Sequence, residues 1–175
     1  MNRLVKTLSI VGLGVCAALP MAAQADGQTY AEVGYGWLKL SSSGFDVTTG
    51  ELIGRFGYEF TPNFAAEVMG ATSVSDGTVY GVKVKVDNAF GGYLKGRVQA
   101  AQNFELFAKL GWVQASLKAS VPGASASNSD SSFSYGVGAQ YTFSDKWYAQ
   151  ADYMSYYDKS GDSIKGPSIS VGLRF

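Results

Sequence analysis

Polar and apolar residues alternate one by one along most of the chain after residue 30, which is the period expected of β-strands. The pattern occurs eight times, and its apolar positions, taken by twos, run from Ala31 to Trp37, Leu52 to Phe60, Phe64 to Gly70, Phe90 to Val98, Phe104 to Trp112, Phe133 to Phe143, Trp147 to Tyr153 and Ile169 to Phe175. The sequence therefore predicts an all-β protein with eight strands.

The intervening positions carry the charged residues of these segments. They include five acidic and five basic residues: Glu32, Glu59, Glu67, Glu105 and Asp152, with Arg55, Lys95, Arg97, Lys109 and Arg174. Successive residues of a strand face opposite sides of a sheet, so every second residue faces the same side and all of these side chains share one face. Equal numbers of both signs suggest mutual pairing, although a solvated face would show the same count.

The connections between the segments alternate strictly between short and long. The short ones are Thr61 to Asn63, Ala100 to Asn103 and Ser144 to Lys146, and the long ones are Ser41 to Gly50, Ser75 to Asp87, Lys118 to Ser132 and Asp158 to Gly166. This order predicts an antiparallel up-and-down barrel with its four long loops at one end. We expect the Ser/Ala-rich stretch Val121 to Ser132 to be a flexible exposed loop. No proline is expected inside a strand, with Pro167 at the start of the last one.

Two kinds of barrel fit this pattern. A soluble, lipocalin-like barrel would hold the apolar positions inside, whereas a membrane barrel turns them toward lipid and keeps polar side chains within. Aromatic residues favour the membrane, because they cluster at both ends of the segments, as expected at two membrane interfaces. Beside the short turns are Phe60, Phe64, Phe104, Phe143, Trp147 and Phe175, and toward the long loops are Tyr35, Trp37, Phe90, Trp112, Phe133 and Tyr153. We therefore predict an eight-stranded transmembrane β-barrel.

The first 25 residues have the features of a cleaved signal peptide. Arg3 and Lys6 precede an apolar run that ends in Ala23-Gln24-Ala25, a small-x-small cleavage site. Cleavage after Ala25 would remove Cys16, the single cysteine, and leave residues 26–175 as the barrel domain. That domain has 12 basic and 14 acidic residues, a balance that does not suggest a nucleic-acid partner.

The mature chain resembles the small outer-membrane β-barrel family, the group of the OmpA transmembrane domain, OmpX and Ail-like proteins. The resemblance rests on the signal peptide, the eight strands, the three tight turns and the terminal Val171-Gly172-Leu173-Arg174-Phe175. It implies a location in the bacterial outer membrane, in contact with its lipid and lipopolysaccharide. It also implies that Val171, Gly172, Leu173 and Phe175 form the signal read by the barrel-assembly machinery.

The sequence offers little for catalysis. It contains no histidine, which removes the commonest general base and metal ligand, and we predict no enzymatic activity, cofactor or metal. Two functions remain open. One is a structural or adhesive envelope role, in which four extracellular loops contact a host or cell-surface ligand. The other is a narrow, porin-like or OmpW-like passage for small or hydrophobic solutes.

Overall fold

The computed structural model describes residues 27–42, 45–75, 77–79, 82–121, 124–159 and 161–175. Its strands are β1 Gln28–Ser42, β2 Phe45–Thr61, β3 Phe64–Ser75, β4 Gly77–Val79, β5 Val82–Ala101, β6 Phe104–Val121, β7 Ala124–Thr142, β8 Trp147–Lys159 and β9 Asp162–Arg174. The described part of the chain holds no helix long and apolar enough to cross a membrane.

The strands close into an eight-stranded antiparallel barrel, as predicted. Each long strand pairs with its neighbour in sequence, and the short β4 continues β3 along the edge of β5. Strand β9 pairs with β1 in a register that includes Tyr30 opposite Arg174 and Val33 opposite Val171. Because the first and last strands pair, the ring has no open edge in the membrane, where an unpaired edge could not be tolerated.

The three short turns lie where the sequence predicts them. In the first, the Thr61 hydroxyl accepts hydrogen bonds from the backbone N–H groups of Asn63, at 3.3 Å, and Phe64, at 2.9 Å. In the second, Asn103 has a φ of 84°, a left-handed conformation that asparagine adopts more readily than most residues. All three turns therefore gather at one end of the barrel.

The long connections are much shorter than predicted, because the strands continue into them. Strand β2 begins at Phe45, and β6 and β7 remain paired as far as Val121 opposite Ala124. The prediction of a flexible loop from Val121 to Ser132 was therefore wrong for its described residues. A run of small polar residues such as serine has no polar–apolar alternation, so the sequence pattern does not identify it as a strand. Its backbone N–H and C=O groups nevertheless pair with a neighbouring strand as well as those of other residues.

Pro167 also departs from its prediction, since it lies inside β9 rather than at its start. The pairing of β9 with β1 is interrupted there, between Gly36 opposite Ser168 and Lys39 opposite Lys165. Proline has no N–H to donate to the neighbouring strand, so it is tolerated where the pairing is already broken.

The apolar face points outward, which rules out the lipocalin-like alternative. Val33 and Val137 are 59% and 63% exposed, whereas the charged face is turned into the lumen. Both aromatic clusters lie on the outer surface, and every member except the half-buried Tyr35 is exposed. On β6 the two clusters are joined by the segment Phe104 to Trp112, whose nine residues match the length of a membrane-spanning strand.

Beyond the aromatic residues at the long-loop end, the two faces exchange character. The lumen there is lined by a buried apolar cluster that includes Leu38, Leu40 and Ile164. The outer surface carries instead the ion pair Lys39–Asp46, at 2.8 Å, and the hydrogen bond from Lys39 lowers the pKa of Asp46. Water, rather than lipid, is the natural surrounding for this part of the barrel.

Candidate functional site

The lumen contains two layers of charged side chains, and the first lies near the short turns. Arg97 donates to Glu59 Oε1 at 2.7 Å and lies 3.7 Å from Glu105 Oε2. Arg174 lies 3.4 Å from Glu59 Oε1 and 3.6 Å from Glu105 Oε2. This lower layer therefore has two carboxylates and two guanidinium groups, each in contact with both groups of opposite sign.

The second layer, called the middle layer below, lies deeper in the barrel and is almost completely buried. The closest charge pair is Lys109 Nζ to Glu67 Oε2, at 2.7 Å, and Lys95 Nζ lies 3.5 Å from Glu67 Oε1. On the other side of the layer, Arg55 lies 3.4 Å from Glu32 and 3.2 Å from Asp152. Lys95 joins the two sides because it also lies 3.8 Å from Glu32.

The structure thus brings all ten predicted lumen charges together. The lower layer pairs two acidic with two basic residues and the middle layer pairs three with three, so each layer is neutral. Gln140 connects them, accepting from Lys95 at 3.2 Å and donating to Glu105 at 2.7 Å. Neutral, connected layers limit the cost of burying so many charges.

Two tyrosines complete this network and were not predicted. The Tyr30 hydroxyl donates to Glu67 Oε1 at 2.7 Å, and the Tyr148 hydroxyl donates to Glu32 Oε1 at 2.8 Å. Their rings form a T-shaped pair, and Lys95 lies 4.5 Å above the ring of Phe107. Tyr148 already lies at an inward position of the predicted segment Trp147 to Tyr153, and extending the alternation by one residue at the start of β1 would have placed Tyr30 in the lumen too.

Glu51 is an inward-facing carboxylate that the sequence pattern does not predict. The apolar alternation of the second segment starts only at Leu52, whereas β2 begins at Phe45. Glu51 is fully buried and lies among the apolar side chains above the middle layer.

The terminal segment contributes to both faces of the barrel. Val171 and Phe175 face outward, Leu173 is half-buried, and Gly172 faces the lumen against the ring of Tyr148. The backbone N–H of Phe175 donates to the Thr29 carbonyl at 2.9 Å, which extends the contact between the last and first strands. The predicted cleavage site at Ala23 and Ala25 lies outside the described residues.

The described residues include no group of three or more histidine, cysteine, aspartate or glutamate side chains placed to hold a metal ion. The carboxylates of the lumen are instead engaged by lysine, arginine and hydroxyl groups. This arrangement neutralises the charges at the centre of the barrel and fills the space there with side chains.

A model of the outer membrane protein beta-barrel domain matches residues 8–175, nearly the whole chain. The chain belongs to this outer-membrane β-barrel family. As a member of the family, the barrel is located in the bacterial outer membrane. A search of curated protein sequences found no match.

Several solved structures share the fold of the barrel. Ail of Yersinia pestis, crystallised with the heparin analogue sucrose octasulfate, is 17% identical, with a TM-score of 0.67 over 86% of this chain and 100% of Ail. Neisserial surface protein A is 12% identical, with a TM-score of 0.74 over 84% of this chain and 97% of that protein. The N-terminal barrel of Pseudomonas aeruginosa OprF is 13% identical, with a TM-score of 0.62 over 85% and 99%. At these identities the likeness concerns the fold alone.

Proposed function

We propose that this protein is a non-enzymatic outer-membrane barrel with a closed lumen, which presents its four long hairpins outside the cell. The hairpins would provide the contact surface for a host or cell-surface ligand, and lipopolysaccharide would surround the outer half of the barrel. During biogenesis the barrel-assembly machinery would read the segment Val171 to Phe175.

The observation that carries this proposal is the double charged layer across the lumen. An eight-stranded barrel has an interior just wide enough to be filled by side chains. Here that space holds two layers of paired charges, with Tyr30, Tyr148 and Phe107 packed around them. A solute would have to break several buried ion pairs to pass, which supports a closed barrel.

The composition of the long hairpins bears on the class of ligand. Their residues beyond the aromatic belt include six lysines and six aspartates: Lys39, Lys83, Lys85, Lys118, Lys159 and Lys165, with Asp46, Asp76, Asp87, Asp130, Asp158 and Asp162. This balance does not favour a strongly anionic ligand such as the sulfated sugar bound to Ail. A neutral or mixed-charge protein surface is the better match.

A second candidate is a passage for small apolar solutes. It is favoured by the buried apolar cluster at the long-loop end, which lines the lumen with Leu38, Ile53 and Met69. Such a solute would still meet the middle charged layer below the cluster, so this function requires an exit above that layer.

Recordings of the refolded protein in planar bilayers test the closed lumen. We expect no stable unit conductance at neutral pH. A reproducible unit conductance would contradict the proposal and favour the passage.

Contact through the hairpins is tested separately on cells that express the protein. In each hairpin the tip, meaning the turn together with the strand residues next to it, is replaced by a two-residue Asn-Gly turn. Adhesion to epithelial monolayers is then measured at equal amounts of folded barrel. We expect adhesion to fall when the tips are removed. Unchanged adhesion with all four tips replaced would contradict the contact role.

A further inference from the structure

Above the charged layers the lumen becomes an apolar chamber that contains one buried carboxylate. The chamber is formed by the cluster of Leu38, Leu40, Val47, Ile53, Met69, Ala89, Tyr93, Val113, Met154, Tyr156 and Ile164. Glu51 reaches into it from β2, with an exposed fraction of 0%. A carboxylate in apolar surroundings is costly unless it is paired or hydrogen-bonded.

Only one oxygen of this carboxylate is engaged within the described part of the chain. Oε1 accepts hydrogen bonds from Thr49 Oγ1 at 2.9 Å and from Ser73 Oγ at 2.6 Å, whereas Oε2 has no partner. The nearest cation along β2, Arg55, is bound to Glu32 and Asp152. Among the described lumen carboxylates, Glu51 is therefore the one without a counter-ion.

The Tyr156 hydroxyl lines the same chamber. It is buried and interacts with the Arg55 guanidinium. Both Glu51 and Tyr156 border a cavity of about 20 Å³, which can hold one group the size of a water molecule or an ammonium nitrogen. From this cavity Leu38, Leu40 and Ile164 continue the apolar wall toward the long-loop end.

We propose that the chamber binds a small amphiphilic amine. Its ammonium group occupies the cavity, where it pairs with Glu51 Oε2. Its apolar body lies along the chamber wall, where the flexible side chains of Met69 and Met154 move to admit it. The ligand thus supplies the counter-ion that Glu51 lacks among the described residues.

The chemistry of the chamber selects an amine over a metal ion. Hard cations require several oxygen ligands, whereas the wall around Glu51 is mainly aliphatic and aromatic. An ammonium group needs fewer polar contacts, and its attached hydrocarbon gains from the apolar wall. The site is independent of the hairpin contacts proposed above, so either proposal can fail without the other.

Benzylammonium is a suitable probe, with neutral benzyl alcohol as its partner of the same shape. Binding to the whole barrel in zwitterionic lipid nanodiscs is measured by calorimetry, with empty nanodiscs as the blank. We expect benzylammonium to bind at least tenfold more tightly than benzyl alcohol, and Glu51→Gln to abolish that preference. Asp46→Asn, which removes an exposed carboxylate from the same strand, should retain it.

Equal affinities of the wild type and Glu51→Gln for benzylammonium would overturn the proposal, as would the absence of binding to a folded wild type. Either result would mean that a water molecule, or a proton on the carboxylate, satisfies the buried Glu51 without an amine. If Glu51→Gln does not fold, Met69→Phe provides the test, because it fills the chamber and leaves the carboxylate in place. Undiminished binding by that variant would also overturn the proposal.

Discussion

Glu67 shows how far the stability of the barrel depends on single side chains of the lumen. It pairs with Lys95 and Lys109 and accepts the hydrogen bond of Tyr30. Glu67→Gln would leave the buried Lys109 without a carboxylate, and we expect a loss of about 3–5 kcal/mol in the free energy of unfolding. Urea unfolding in detergent micelles measures this loss. Asp46→Asn breaks an exposed ion pair and should cost far less, so similar losses in both variants would contradict the prediction.

Gly172 is a second position where a single added carbon atom should change the stability of the barrel. A methyl group there would overlap the ring of Tyr148, which is itself fixed by its hydrogen bond to Glu32. We expect Gly172→Ala to destabilise the barrel by about 1–3 kcal/mol through overpacking. Gly92→Ala is the matched control, because its methyl group would have no neighbour within 4 Å. The same unfolding measurement applies, and equal stability of the two variants would show that Tyr148 moves aside freely.

For single residues, the sequence predicted which side chains face the lumen. It did not predict which of them contact one another there. Alternation along each strand placed the ten charges, because it depends only on local geometry. It could not predict that Tyr148 bonds Glu32, 116 residues away, or that Glu51 lacks a partner, since both follow from closure of the barrel. Contacts across a lumen depend on the register of every strand between them.

At the scale of the strands, the pattern was most informative where lipid imposes it. Inside the membrane belt each outward residue must be apolar, so the eight segments were visible in the sequence. Outside the membrane the outward residues need not be apolar. The outer halves of β6 and β7 therefore look like loops in the sequence, although they are paired strands. Pro167 was misplaced for a related reason, because the broken pairing of β9 with β1 leaves no trace in the sequence.

The last strand carries a prediction about assembly rather than stability. Phe175 and Phe104 are both outward-facing aromatic residues at the short-turn end of the barrel. If the segment Val171 to Phe175 is the assembly signal, Phe175→Ala should sharply reduce heat-modifiable folded protein in cells and leave unfolded chains in the periplasm. The purified variant should still refold in micelles, because a lost interfacial side chain costs only about 1.5–3 kcal/mol. Equal defects in cells for Phe104→Ala would reduce Phe175 to an ordinary aromatic residue of the belt.

For the molecule as a whole, the distribution of polarity defines three zones along the barrel axis. The two charged layers lie where the outer surface is apolar, and so does the lower part of the apolar chamber, at Ile53, Met69 and Val113. The outer end of the chamber, at Leu40, Val47 and Ile164, lies where the outer surface turns polar. The barrel is therefore a membrane protein over most of its height and resembles a soluble one near its long hairpins. This exchange of faces also indicates which end extends furthest from lipid.

That polarity predicts the orientation of the barrel in the cell. The longer, water-adapted end should face outward, and the three tight turns should face the periplasm, as expected of outer-membrane barrels. Single cysteines at Asp162, on the β8–β9 hairpin, and at Asp145, in the third short turn, test this in a Cys16→Ser background; both sites are exposed. On intact cells an impermeant thiol reagent should label position 162 alone, and after lysis it should label both. Labelling of position 145 but not of position 162 on intact cells would mean that the barrel is inserted the other way round.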